Sequence, residues 1–534
     1  MFLSFLFFFL FSNLGAMAQA SFDWTSIPGS NNLTWVDCYA PPLQCTRLNA
    51  PLNYSDPNSG TVTLALIRIP STLNETADYR GPVLFNPGGL GGSGVEAMLE
   101  FGSQLAPVIG PNFDVVSFDP RGAANSVPLI SMFKTDAERA TFDFGPNVAD
   151  ATATPDAIPR QWAHFRVFGQ LAQDRDPGIF AHMTTDNVAR DMLHIVEAHG
   201  QAKLRYWGIS YGSVLGGTFA SIFPDKVERL IIDGVFDMES YYSVNWANQL
   251  LDTDKVLQAF FDGCFKAGPK ACAFYASSPS TISRNLDALY ASVLAQPIMA
   301  YSPALPTYGI VDHVTLKNAV FTSLYTPYSS FSMLAQGLAD LKKGNGSTIF
   351  QLSFPQLSEA AAAILCGDGR TVTDDAAALK AFTQGISNIS TFSSALVGTR
   401  TMCSGWKIHP NNFKGPVAGN TSFPLLLIGN TGDPVTPLAG AKKTSKAFPG
   451  SVVLTQDSIG HTSFSIPSDC TLGHVNQYFQ NGTLPAAGTV CPVIGDLFPV
   501  PSSISAREQV HAHSRVEVVA QTTRSMFKGM PKLY

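Results

Sequence analysis

Acyl transfer by serine needs a hydroxyl held clear of the backbone, a base to take its proton, a carboxylate to orient that base, and amide donors for the oxyanion. The chain offers a candidate for each role. Ser210 lies in Gly208-Ile209-Ser210-Tyr211-Gly212, the G-x-S-x-G pattern of a sharp turn between a strand and a helix. Asp433, in Gly432-Asp433-Pro434, is the candidate orienting acid, and His461, in Gly460-His461-Thr462, the candidate base. For the oxyanion, the glycine-rich run Asn86 to Gly94 offers Gly89 as the first donor, and the backbone N–H of Tyr211 is the second. A phosphate cradle is the competing reading of that run, but it lacks the G-K-[ST] ending such a loop carries. Asp233 and Asp237, just past an apolar run ending at Ile232, are rival orienting acids. His194 and His199 fall on an expected helix and His511 and His513 near the C-terminus, positions that suit packing or solvent better than chemistry.

The elements that must position these residues are legible around them. Leu204 to Ile209 reads as a short buried strand, and Ser213 to Phe223 as a helix whose Gly216 and Gly217 allow close packing on a sheet. Thr61 to Ile69 alternates in period two, and Pro82 to Phe85, Phe113 to Phe118 and Val227 to Ile232 are short apolar runs. Thr184 to His199 has helical spacing, with Thr184 to Asp186 as capping candidates and Gly200 as a stop. Alternating strands and helices predict a mostly parallel sheet covered by helices. Strand signals fade after Asp237 and return at Phe423 to Ile428 and Val452 to Leu454. The expected organisation is therefore a signal peptide over 1–20, a core in two parts over 21–237 and 411–501, a large, mainly helical cap over 238–410, and a tail over 502–534. The order Ser210, Asp433, His461 is that of an α/β-hydrolase, and it differs from the trypsin-like and subtilisin-like orders.

Composition bounds the setting. The 534 residues suffice for a large core with an insertion. Charged residues make up 14% of the chain, against about a quarter in an average protein. The net charge of −6 gives no basis for nucleic-acid binding. Residues 1–20 join an apolar run, Phe2 to Phe11, to small-residue cleavage sites, without a basic start. That run is too short for a membrane anchor, so secretion is expected. Sequons beginning at Asn32, Asn53, Asn74, Asn345, Asn388, Asn420 and Asn481 are glycosylation candidates. The spacing of the eight cysteines favours Cys38 with Cys45, Cys264 with Cys272 and Cys470 with Cys491, leaving Cys366 for Cys403. No C-x-x-C pair suggests zinc, and no metal or cofactor is expected.

Six stretches together resemble a known family, the secreted tripeptidyl and prolyl aminopeptidase-like branch of the α/β-hydrolases, especially its fungal members. They are Asn86 to Gly94, Phe118 to Gly122, Thr185 to Asp191, the Ser210 turn, Asp433 to Pro437 and Gly460 to Ser463; Ile364-Leu365-Cys366, Cys403-x-x-Trp406 and Cys491 extend the match over nearly the whole mature chain. Leu90 stands where many relatives have proline and Ala124 where glycine is usual, departures that bear on loop shape and substrate fit. The resemblance implies a serine hydrolase with Ser210 as nucleophile, Asp433 as orienting acid and His461 as general acid and base. The expected substrate is a peptide losing a short N-terminal fragment or proline. An esterase, lactonase or other small-molecule acyl hydrolase uses the same triad and is the alternative, followed by a catalytically silent binding protein. An aminopeptidase must also meet a substrate ammonium with carboxylate, for which Asp237, Glu239, Asp252, Asp254, Glu359 and Asp368 are candidates.

Overall fold

The computed structural model describes residues 22–143, 154–302, 307–353 and 359–499. The signal-like segment 1–20 and the tail 502–534 lie outside the described residues, as do parts of the Pro-rich connection near 303–306.

The strands are Val36–Asp37 (β1), Gln44–Asn53 (β2), Asp56–Ile69 (β3), Pro82–Asn86 (β4), Asp114–Phe118 (β5), Leu204–Ile209 (β6), Val227–Asp233 (β7), Ile298–Ser302 (β8), Thr307–Val311 (β9), Leu426–Gly432 (β10), Val452–Ile459 (β11) and Val490–Pro492 (β12). Ten of them form one sheet in the order β1-β2-β3-β5-β4-β6-β7-β10-β11-β12. From β5 to β12 every neighbouring pair is parallel, and β1 to β3 add an antiparallel edge. Parallel strands are covered on both faces, which is why β4, β5 and β6 are runs of wholly buried residues and carry no polar alternation. One face, with Phe85, Trp207, Ile231 and Ile428, packs under the helices Gly94–Ile109 and Asp469–Asn481. The other, with Leu84, Tyr206, Ile232 and Leu427, packs against Thr185–Ala198 and Tyr211–Ile222 and runs on into the core of the insertion. This is the α/β-hydrolase fold.

The insertion between β7 and β10 is mainly helical, but it also contains the β8–β9 hairpin, which the sequence reading did not anticipate. Its strands are apolar on both faces: Ala300 is buried while Met299, Tyr301, Tyr308 and Ile310 are exposed, so no polar alternation announces a strand. The helix Ala157–Arg175, which precedes β6 in the chain, packs against the insertion helix Ser394–Gly405, with Gly169 against Gly405. Four disulfides tie the described residues together, Cys38–Cys45, Cys264–Cys272, Cys366–Cys403 and Cys470–Cys491, the pairing that the spacing favours.

Candidate active site

Ser210 stands between the end of β6 and the helix Tyr211–Ile222, with φ 58° and ψ −122°. A non-glycine residue adopts positive φ only under constraint. The constraint comes from both sides: the Ser210 N–H donates to the carbonyl of Asp233 (2.9 Å), at the end of neighbouring β7, and the Ser210 carbonyl accepts from Ser213 N–H (2.8 Å). Tyr206 Oη holds the far side of the turn by donating to the Gly212 carbonyl (2.9 Å).

Asp433 follows β10 directly and is fully buried. Its carboxylate accepts from the N–H groups of Val435 (3.0 Å), Thr436 (2.8 Å) and Thr462 (2.9 Å) and from Thr436 Oγ1 (2.7 Å). His461 Nδ1 lies 3.0 Å from each of its oxygens. Burial pushes this carboxyl up, but His461 and the hydrogen bonds outweigh it, and the net shift is downward. An ionised Asp433 only accepts, so Nδ1 carries the imidazole proton and Nε2 presents a lone pair, the state a general base requires. Thr436 Oγ1 also lies 3.0 Å from Nδ1. It belongs to the site although the sequence reading did not single it out; its place three residues after Asp433, in Asp-Pro-Val-Thr, was the available signal.

The loop bearing His461 is held as firmly. His461 N–H donates to the Tyr325 carbonyl (2.8 Å), the Tyr325 ring stands edge-on to the imidazole at 5.2 Å, and Asn430 Nδ2 donates to the carbonyls of Gly460 (2.8 Å) and Thr462 (2.6 Å).

The glycine run leaves β4 and bends back toward Ser210. Gly88 and Gly89 have φ of +87° and +73°. A Cβ on Gly88 would lie 2.8 Å from Ser210 Cβ and 3.2 Å from Tyr211 N, so backbone passes directly beside the turn. Gly88 N–H is taken by Asn86 Oδ1 (3.0 Å), and Tyr211, at the first helical position, has an amide outside the intrahelical ladder. Asp119 anchors the far end of the run by accepting from Ser93 Oγ (2.6 Å), Val95 N–H (3.0 Å) and both amide donors of Asn125. Fully buried Arg121 forks onto Asp191. These two matched stretches, Phe118 to Gly122 and Thr185 to Asp191, thus serve as scaffold.

Both Asp233 oxygens are taken by Ser463, through N–H (2.9 Å) and Oγ. Asp237 caps a short helix and pairs with Lys443, which also bridges Glu239. Glu359 pairs with Arg139 and accepts from Met132 N–H. Asp254 accepts from Ser390 and Thr391. Asp368 is buried, accepting from Thr185 N–H (2.7 Å), Thr185 Oγ1 and Tyr241 Oη (2.7 Å), and is pushed up to about 7, chiefly by burial. Asp252 is half-buried beside the Asp433 backbone; burial raises its carboxyl, with Lys255 pulling the other way. His194 and His199 bond backbone carbonyls far from this site.

The chain is similar to known proteins over most of its length. A family model described as TAP-like protein matches residues 389–491. The chain is 28% identical over 491 residues to serine protease Hip1 of Mycobacterium tuberculosis, covering 88% of this chain and 90% of that protein. It is 26% identical over 490 residues to a tripeptidyl aminopeptidase of Streptomyces lividans, covering 86% of each, and 27% identical over 470 residues to carboxylesterase B of Mycobacterium tuberculosis, covering 84% and 86%. The chain is a serine hydrolase on an α/β-hydrolase scaffold.

Proposed function

We propose that this serine hydrolase is a secreted aminopeptidase that releases short peptides or proline from peptide N-termini, with Ser210 as nucleophile, His461 as general acid and base, and Asp433 as orienting acid. The observation that carries the catalytic assignment is the grip of Asp433 on His461 Nδ1 with both oxygens at 3.0 Å, in a chain whose only G-x-S-x-G turn presents Ser210. His461 Nε2 takes the Ser210 proton as Oγ adds to the substrate carbonyl, and the developing oxyanion receives the N–H groups of Gly89 and Tyr211. The imidazolium, steadied by Asp433, then gives its proton to the leaving amine. Water attacks the acyl-enzyme by the same route in reverse, restoring Ser210.

Peptide substrates are supported by the relatives named serine protease and tripeptidyl aminopeptidase, and by the motifs that resemble the fungal branch of such enzymes. Secretion is supported by the four disulfides, which persist in oxidising compartments, and by the exposure of Asn32, Asn74, Asn345, Asn388, Asn420 and Asn481, whose side chains are open to glycan attachment; Asn53 is half-buried. An ester substrate is the second reading, favoured by the relative named carboxylesterase B.

Fluorophosphonate labelling of wild type and Ser210→Ala tests the nucleophile: labelling is expected in wild type only, and labelling of the variant overturns the assignment. Peptide anilides with free and acetylated N-termini, run beside simple esters, then test the substrate. The aminopeptidase reading expects acetylation to abolish turnover; equal rates on both would leave the esterase reading standing.

A further inference from the structure

We propose that Asp233 is a positioning residue that ties the Ser210 turn to the His461 loop, and that it does so as an ionised carboxylate. The inference rests on the catalytic assignment above.

Asp233 ends β7, the strand between β6, which leads to Ser210, and β10, which leads to Asp433. Its main chain holds the nucleophile, since its carbonyl accepts the Ser210 N–H at 2.9 Å. Its side chain holds the base, since Ser463, two residues past His461, gives it both a backbone N–H and a hydroxyl. One buried residue is therefore bonded both to Ser210 and to the loop that carries His461.

The His461 loop needs such a tie. Gly460 and Thr462, on either side of His461, have φ of +101° and +61°. For threonine this conformation is strained, and it persists only where surrounding bonds over-determine it. Upstream of the strain, Gly460 N–H donates to the Gly432 carbonyl (2.8 Å) and His461 N–H to the Tyr325 carbonyl; downstream, the first side chain to grip the backbone is Asp233, through Ser463. Asp433 and Asn430 hold Thr462 itself, Gln456 holds the Ser463 carbonyl (3.1 Å) and Ser465 N–H returns to the Thr462 carbonyl (3.1 Å), but Asp233 alone takes the Ser463 N–H and hydroxyl. With that grip lost, a relaxing Thr462 swings the imidazole away from Ser210.

The ionisable groups facing Asp233 are Asp433 and His461. Burial raises the Asp233 carboxyl to about 6 against the opposing pull of the Ser463 bonds; Asp433 adds to the rise and His461 counters it. An ionised carboxylate gives both Ser463 donors a charge-assisted acceptor, whereas a protonated one loses that assistance and must itself donate to the Ser463 hydroxyl. Below about pH 6, then, the tie weakens.

The experiment compares wild type, Asp233→Asn, Ser463→Ala and the double variant, on a chromogenic ester and by the rate of fluorophosphonate labelling, across pH 5–8, with melting curves confirming folded protein. Asp233→Asn is expected to lower kcat and the labelling rate by about 10–100-fold with KM nearly unchanged, because a misplacement near 1 Å costs that much. Its rate is expected to fall less steeply than that of wild type below about pH 6, because the carboxyl that titrates there is gone. Ser463→Ala, which keeps the N–H donor, is expected to lose less, and the double variant no more than Asp233→Asn alone. Fully additive losses, an effect confined to KM, or a kcat within twofold of wild type with an unchanged acid limb overturns the inference. If Asp233→Asn does not fold, a Ser463→Ala variant with wild-type kcat and acid limb overturns it as well. Absence of Ser210 labelling in wild type would instead reject the catalytic assignment, so the two failures are distinguishable.

Discussion

Replacing Gly88 with alanine probes where the oxyanion is held. The added Cβ would lie 2.4 Å from the Ile209 carbonyl, 2.8 Å from Ser210 Cβ and 3.2 Å from Tyr211 N. Carbon and oxygen approach to about 3.3 Å at closest, so the loop and the turn must separate by roughly 0.9 Å. The φ of +87° adds about 1–2 kcal/mol of backbone cost for an L-residue. A shift of this size withdraws the neighbouring Gly89 amide from an oxyanion on the carbon bonded to Ser210 Oγ. Loss of one donor costs about 10²–10³-fold in kcat, or about 2.7–4 kcal/mol of transition-state stabilisation. Gly488→Ala supplies the control: its φ is +83° but no atom lies within 4 Å of the added Cβ, so it bears the same backbone cost without the displacement. Steady-state kinetics on an ester, fluorophosphonate labelling rates and melting temperatures should show both variants folded, Gly488→Ala within about twofold of wild type, and Gly88→Ala slowed by the two to three orders of magnitude above. A Gly88→Ala enzyme within about threefold of wild type would refute the placement of the glycine run at the reacting carbon, because a donor that moves by this much cannot remain in register.

Two further outcomes follow from the acids of the insertion. Asp368, raised to about 7 by burial, keeps its proton in the folded chain between about pH 4 and 7 while the unfolded chain loses it, so its contribution to stability falls as pH rises through that window and levels off above it. The melting temperature of Asp368→Asn minus that of wild type should therefore grow from pH 4 to pH 7 in thermal scans; a constant difference sinks the argument. Asp252, the candidate half-buried beside the Asp433 backbone, is the one to test as receiver of the ammonium. Asp252→Asn should raise KM for a peptide with a free N-terminus and leave simple esters unchanged in initial-rate assays at neutral pH, and an equal change for both substrates would remove it from the candidates.

Much of the site was legible because its parts are local in sequence. The turn at Ser210 needs glycines beside a serine between an apolar run and a helix, and Leu204 to Ile209 is the strand that the apolar run predicts. The candidate acid and base each sit just past a strand that hydrophobic runs reveal, although β10 and β11 extend to Gly432 and Ile459, beyond the residues whose apolar character marked them. What was hidden depends on contacts across the chain. Asp233 looked like a competing acid because it, too, ends a strand, and only its bonds to Ser463, 230 residues away, show that its oxygens are spoken for. The N-terminal hairpin was read only from Thr61, since the exposed, polar start of β3 at Asp56 to Gly60 is strand by virtue of pairing with β2, not by its own pattern. Among the six candidate amine-binding acids, sequence could not choose because their partners Lys443, Arg139, Thr185 and Tyr241 come from distant segments.

The sheet order explains why this site carries its strain in the histidine loop as well as in the serine turn. The strands β6, β7, β10 and β11 are consecutive neighbours and all parallel, so Ser210, Asp233, Asp433 and His461 leave the same edge of the sheet in that lateral order. Neighbouring strands are about 4.8 Å apart, which puts the ends of β6 and β11 roughly 14 Å from each other. A hydrogen bond between Ser210 and His461 requires that distance to close, and the side chains of serine and histidine together span only part of it. The chain beyond β11 must double back over β10 toward β7, and it does so in one abrupt step, with left-handed backbone at Gly460 and at Thr462. Glycine takes that conformation freely and threonine does not, so the second half of the step has to be held by bonds from the strands being crossed. Asn430 and Asp433 supply them from β10 and its end, and Asp233 from β7. A second carboxylate at the end of the intervening strand is then a consequence of bringing the base home across that strand, and its charge and its burial are set by the crossing as much as by the chemistry it serves.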